Sequence, residues 1–233
     1  MTLGVSGMSH IDLDRLMNEP IYDFDFQFMI GDIQDYLDFS ENNIEWQYRS
    51  ELQSIKRRAE IGDFEGIPQG YREHLETNAE HRFKVSLPLR IRYGALLALV
   101  TTVEWSVAYL DRNLIEPRGT VPKGKNETIY LLEVLNERTS LGRDDQIRDF
   151  EVLIWIRNCI AHSAGLEKDY TFSSELRKDV RRLSGFSFAN WHFFGSHVAI
   201  EKGALDKYIR EMKYLIVDLH KAAYEKKVIK GDT

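Results

Sequence analysis

Residues 149–165 constrain the fold more than any other stretch of the chain. At about 100° per residue, Val152, Leu153, Ile156, Cys159 and Ile160 fall on one broad helical face. Phe150, Ile154 and Ala161 make a second apolar strip, with Arg157 on the edge between the two. Only the sector of Glu151, Trp155, Asn158 and His162 is polar. A surface helix carries a much wider polar face, so this helix is expected to be buried on several sides. Arg157, Asn158 and His162, close to its end, then need partners or a task.

Composition narrows the setting. Hydrophobic residues at 43% and charged residues at 29% suit a folded globular chain. A net charge of -6 gives no global attraction to nucleic acid, so RNA or DNA must be held by a local basic patch. Cys159 is the single cysteine; it excludes an internal disulfide and a Cys-rich zinc site, and reads as a buried, reduced thiol. The first residues lack the basic start and apolar run of a signal peptide, which makes the cytoplasm the expected location. Residues 93–110 approach membrane-spanning length, but Glu104 lies inside them at a cost in lipid of roughly 2.5–3.5 kcal/mol. A buried helix, with no membrane partner, is the expectation.

Along the chain, Ile11–Asn18 reads as a short helix stopped by Pro20. Residues 21–39 are ambiguous: Phe24, Phe28, Ile33 and Leu37 follow helical spacing, whereas Phe24, Phe26 and Phe28 alternate as in a strand. Ser40 suits the N-cap of a helix reaching Ile61. A loop with Gly62, Gly66, Pro68 and Gly70 then separates an N-terminal helical arm, residues 1–70, from a main domain, residues 71–233. A long helical region from Tyr71 to Leu110 contains Pro88 as a kink or break. After a Pro- and Gly-bearing loop, Asn126 or Glu127 opens a short helix, and Asp144 or Asp145 can cap the central one. Ser173 or Ser174 can cap an amphipathic helix, Glu175 to Leu183. Residues 186–200 alternate like a small hairpin. Residues 203–227 form a last amphipathic helix with Leu205, Ile209, Met212, Leu215, Ile216 and Leu219 on one side. The fold class is mostly α, with one small β-hairpin near the C-terminus.

Arg157 and Asn158, followed by Ile160, Ala161, His162 and Gly165 on a nearly all-apolar helix, resemble the R-x4-6-H motif of the HEPN superfamily. The order of elements over roughly residues 71–225 is similar to that of bacterial HEPN proteins linked to abortive infection and toxin-like RNA cleavage. The resemblance implies a helical bundle and a metal-independent endoribonuclease without cofactors, acting as a toxin or phage-defence effector. RNA is then the substrate, an antitoxin or regulatory protein a possible partner, and the motif lines a cleft in a homodimer. Toxins of this superfamily that are silenced by a nucleotidyltransferase usually carry Tyr two residues after the motif His. Ala164 stands there, so silencing by that modification is not expected.

The chemistry suits the residues independently. Such an enzyme needs a group to take the proton of the ribose 2′-hydroxyl, a group to protonate the leaving oxygen, and a cation on the phosphate. Histidine serves either proton role near neutrality, and arginine offers forked donors to phosphate oxygens. Asn158 and His162 are one helical turn apart and share a face, so Asn158 can orient the imidazole or the substrate. Arg157 stands about 140° from His162 on an ideal helix, so the two reach one phosphate only through a bend or from two chains. The strip of Phe150, Ile154 and Ala161 offers such a dimer something to bury. For substrate binding, Arg177, Lys178, Arg181 and Arg182 form either an RNA-gripping patch or a solvated helix face; Lys56, Arg57 and Arg58 are a weaker second patch.

Other assignments remain open on sequence alone. Arg157 can be the ion-pair partner of a buried Glu104, with His162 capping the helix C-terminus. The chain is then a non-catalytic nucleotide- or RNA-binding module, or a protein-interaction module. His192 and His197, and His74 and His81, lack the further ligands that a metal site requires. No phosphate loop, Ser-His-Asp arrangement or dinucleotide fingerprint is present.

Overall fold

The structure, a computed structural model, describes residues 21–68, 70–191 and 195–230; the expected helix over Ile11–Asn18 and His192 lie outside these residues. Helix α1 runs unbroken over Ile21–Glu60. The strand alternative for residues 21–39 therefore falls, and Ser40 is mid-helix, not an N-cap. The reason is a continuous helical stripe. Phe26, Ile30, Ile33 and Leu37 are buried, Ile44, Tyr48, Leu52 and Ile55 carry the stripe on, and Glu41 lies between the two halves. Glu41 accepts from Arg92 Nε at 2.6 Å, and Arg92 also donates to the Ile200 carbonyl at 2.9 Å. The first half of α1 thus belongs to the main core, while its second half packs on Ala79 and Phe83 as a separate small cluster.

Helix α2, Tyr71–His81, passes through one wide π turn, Arg82–Ser86, into α3, Leu87–Arg112. Pro88 sits in the first turn of α3. Its ring cannot donate to the ladder and crowds the preceding turn, and the wider turn absorbs both defects without ending the helical path. Within the Tyr71–Arg112 run one stretch is long and apolar enough to cross a membrane. Its Leu96, Leu99, Val100, Val103, Val107 and Leu110 are fully buried against the rest of the chain.

Asn126 caps α4, Glu127–Thr139, by accepting from the Ile129 N–H at 3.1 Å. Helix α5, Asp144–Ser163, is the central helix; Arg143 occupies its N-cap without a side-chain capping bond, its guanidinium donating instead to Asp218, and Asp144 accepts from Asn136 at 3.3 Å. The expected helix over residues 175–183 is shorter and tighter: α6, Ser173–Asp179, passes into a 3-10 turn, Val180–Arg182. Strands β1, Phe186–Trp191, and β2, Gly195–Ile200, pair antiparallel with Phe188 opposite Val198. Helix α7, Ala204–Glu225, buries all six apolar residues expected on its inner side.

The end of α5 is tied down by backbone geometry. Ala164 and Gly165 both have positive φ, 51° and 83°. Their N–H groups both reach the Cys159 carbonyl, so the helix is capped by its own backbone. The Gly165 carbonyl accepts from Val198 N at 2.9 Å, which docks the helix end on the hairpin. Ala164 pays a steric penalty in this left-handed conformation that glycine does not. Ala164→Gly is expected to stabilise the fold by about 1 kcal/mol, read as a rise in thermal midpoint; an unchanged or lowered midpoint counts against this cap geometry.

Candidate functional site

Helices α3 and α5 run antiparallel, and their contact brings Glu104 to Arg157. Arg157 Nη2 donates to Glu104 Oε1, with 24% and 27% of the two side chains exposed. Burial lifts the Glu104 carboxyl above the usual carboxylate range, and the guanidinium beside it pulls the other way. The ion pair weighed for these two residues therefore forms. It occupies one guanidinium nitrogen, while Nε is buried with no partner. That leaves donor capacity on Arg157 that the fold does not use.

Asn158 is half-buried and His162 is exposed one turn later on the same side. Among the described residues neither side chain makes a hydrogen bond or ion pair, and His162 is not the C-cap, since the backbone of residues 164 and 165 does that work. Arg157 and His162 diverge within one chain: the helix stays regular to Ser163, so no bend brings them together. The apolar strip of Phe150, Ile154 and Ala161 also differs from expectation. Phe150 and Ile154 are 0% and 1% exposed in the monomer, and Ala161 alone is left for a partner. The face of α3 that flanks Glu104 is more open, with Ala98, Thr101, Trp105 and Ala108 exposed.

The candidate substrate-binding cations split. Arg177 is forked onto Glu167 and lies over the Phe188 ring at 5.4 Å. Arg182 reaches Asp149 at 3.3 Å and Asp145 at 4.0 Å. Only Lys178 and Arg181 are exposed without an ion pair among the described residues. In the second patch, Arg58 pairs with Asp63 at 3.3 Å. His197 is buried, and its pKa is lowered mainly by that burial, so it is part of the hairpin's packing. Among the described residues no group of three or more His, Cys, Asp or Glu side chains is placed to hold a metal ion.

Sequence reasoning passed over one feature. A groove of about 910 Å3 borders Asn158 and is lined by Trp155, Tyr170 and Phe172, with Lys123 and Glu151 among its polar residues. The available signal was Trp155, a large aromatic residue in the polar sector of an otherwise apolar helix.

No protein-family model, curated protein or solved structure matches the chain.

Proposed function

We propose that the chain is a metal-independent endoribonuclease of the HEPN type, acting as a toxin or phage-defence effector. The observation that carries this reading is the state of Asn158 and His162. Both stand on the open side of a helix that buries nine of its 20 residues, and neither is used to satisfy the fold among the described residues. Polar groups kept at such a place without structural employment point to a ligand or a reaction.

In this reading His162 takes the proton from the ribose 2′-hydroxyl. The freed oxygen attacks phosphorus, the bond from phosphorus to the 5′-oxygen breaks, and that oxygen is protonated as it leaves. The products are a 2′,3′-cyclic phosphate and a 5′-hydroxyl. Arg157, held by Glu104, presents its remaining donors to the phosphate oxygens as charge builds. Asn158 steadies the imidazole or the ribose. Because Arg157 and His162 diverge on one regular helix, the site is completed by a second copy of the chain. Each phosphate then meets Arg157 of one chain and His162 of the other, and that same imidazolium returns its proton to the leaving oxygen. The exposed face of α3 around Trp105 is the proposed contact, which replaces the strip already buried in the monomer.

The test is cleavage of RNA in EDTA by wild type and by His162→Ala. Loss of a general acid–base group is worth roughly 100- to 10,000-fold, so the variant is expected to fall by at least the lower figure. Equal cleavage by both removes His162 from the reaction. An inert wild type that still binds nucleotides favours a binding module. The dimer is checked by sedimentation equilibrium: wild type is expected at twice 27.2 kDa, and Trp105→Glu at the monomer mass.

A further inference from the structure

The groove beside Asn158 has the makings of a base-recognition site. Three segments distant in sequence form it: residues 122–126 ahead of α4, the Glu151–Asn158 face of α5, and residues 170–175. Trp155, Phe172 and Tyr170 form one aromatic group, with Trp155–Phe172 centroids 6.2 Å apart and Tyr170–Phe172 centroids 6.1 Å apart. Phe172 is 54% exposed, a large apolar ring left open to water beside a concave surface. All five residues of the 122–126 segment line the groove, and the Asn126 side-chain oxygen is already engaged in capping α4. Lys125 is paired with Glu133, whereas Lys123 is exposed and makes no ion pair among the described residues.

We propose that this groove binds the nucleobase next to the scissile phosphate and prefers guanine. The proposal rests on the ribonuclease reading for what the bound base belongs to. An unstacked base gains a face against Trp155 and Phe172, and aromatic stacking of this kind accepts any base. Selectivity comes from the edges. Glu151 is an acceptor when ionised. Guanine alone among the four bases presents two adjacent N–H donors, N1–H and the 2-amino group, that a carboxylate can accept together. Uracil offers one donor flanked by two carbonyls, and cytosine and adenine each set an acceptor beside their amino group. Asn158, two turns along the same face, carries both a donor and an acceptor and stands between this groove and His162. Lys123 on the rim suits a neighbouring phosphate. Burial, and then Glu133, hold the Glu151 carboxyl above its ordinary range, so paired donors reaching it stabilise a charge that the fold leaves poorly compensated.

Equilibrium dialysis with GMP, AMP, CMP and UMP tests the groove without any cleavage. Wild type is expected to bind GMP at least tenfold more tightly than the other three. Phe172→Ala, at an exposed position, is expected to weaken GMP roughly tenfold through lost stacking. Glu151→Gln is expected to remove the preference while keeping the stacking. In parallel, wild-type cleavage sites on a mixed-sequence RNA are expected beside guanosine, and those of Glu151→Gln are not. Equal binding of the four nucleotides, or GMP binding indifferent to both substitutions, overturns the groove even if RNA is cleaved. Selective GMP binding by a chain that cleaves no RNA keeps the guanine site and overturns the ribonuclease reading.

Discussion

Arg157→Ala is expected to fold, to lose RNA cleavage by roughly 100- to 1,000-fold, and to become less stable as pH rises. The activity loss is the usual consequence of removing one donor from a site of developing negative charge. The stability effect follows from Glu104. A fully buried ion pair that loses one member costs about 3–5 kcal/mol, because the other charge is stranded. Here about a quarter of each side chain is exposed, so water shares the burden and about 1–2 kcal/mol is expected.

The pH dependence has a definite sign. Glu104 titrates above its ordinary value in the folded protein because burial outweighs the help of Arg157. Its folded pKa is raised relative to the unfolded chain. Its favourable contribution is therefore complete below the unfolded value near 4.5 and is lost as pH rises through the folded value. Without the guanidinium the folded value climbs further, so the deficit of Arg157→Ala relative to wild type is expected to grow between pH 5 and pH 8. Adding Glu104→Gln is expected to recover most of the stability and none of the activity. Urea unfolding at the two pH values, with the four proteins of the double-mutant cycle, checks this. A variant that regains cleavage once stability is restored makes Arg157 a structural residue only.

Gly165→Ala is expected to destabilise the protein by about 3–5 kcal/mol and to abolish cleavage with it. Gly165 has φ +83°, and a Cβ there overlaps the Tyr93 hydroxyl and stands 2.9 Å from two of its ring carbons. Tyr93 is buried and donates to the Val198 carbonyl, while Val198 N donates to the Gly165 carbonyl. The added methyl group thus strains the backbone and pushes away the ring that anchors α5 to β2. His162 is only three residues from that anchor. A thermal midpoint close to wild type contradicts this packing.

The main helices were legible in the sequence where one apolar stripe dominates, as in α7 and in the buried face of α5. The start of α4 was legible to within a residue, at Asn126 or Glu127, and the structure makes Asn126 the cap. Residues 21–39 were not, because Phe24 and Phe28 fit both periods and the deciding contacts lie on α3. The π turn before Pro88 has no local signature beyond the proline itself. At the site, the pairing of Glu104 with Arg157 could be anticipated from two charged groups on apolar helices. The pairing of Arg177 with Glu167 and of Arg182 with Asp149 could not be foreseen in the same way. It depends on how the short segment 173–182 folds back on the end and the start of α5. The strip of Phe150 and Ile154 was read correctly as apolar, but its burial is intramolecular. The groove escaped notice because no single stretch contains it.

The most direct measurement mixes two inactive variants. If one phosphate is held by Arg157 of one chain and attacked with the help of His162 of the other, a heterodimer of Arg157→Ala and His162→Ala contains one doubly damaged site and one intact site. Random re-pairing makes half of the dimers mixed, so about a quarter of wild-type cleavage is expected to return from two proteins that are each inert. A mixture that exchanges subunits yet stays inert, beside an active wild type, contradicts the shared site.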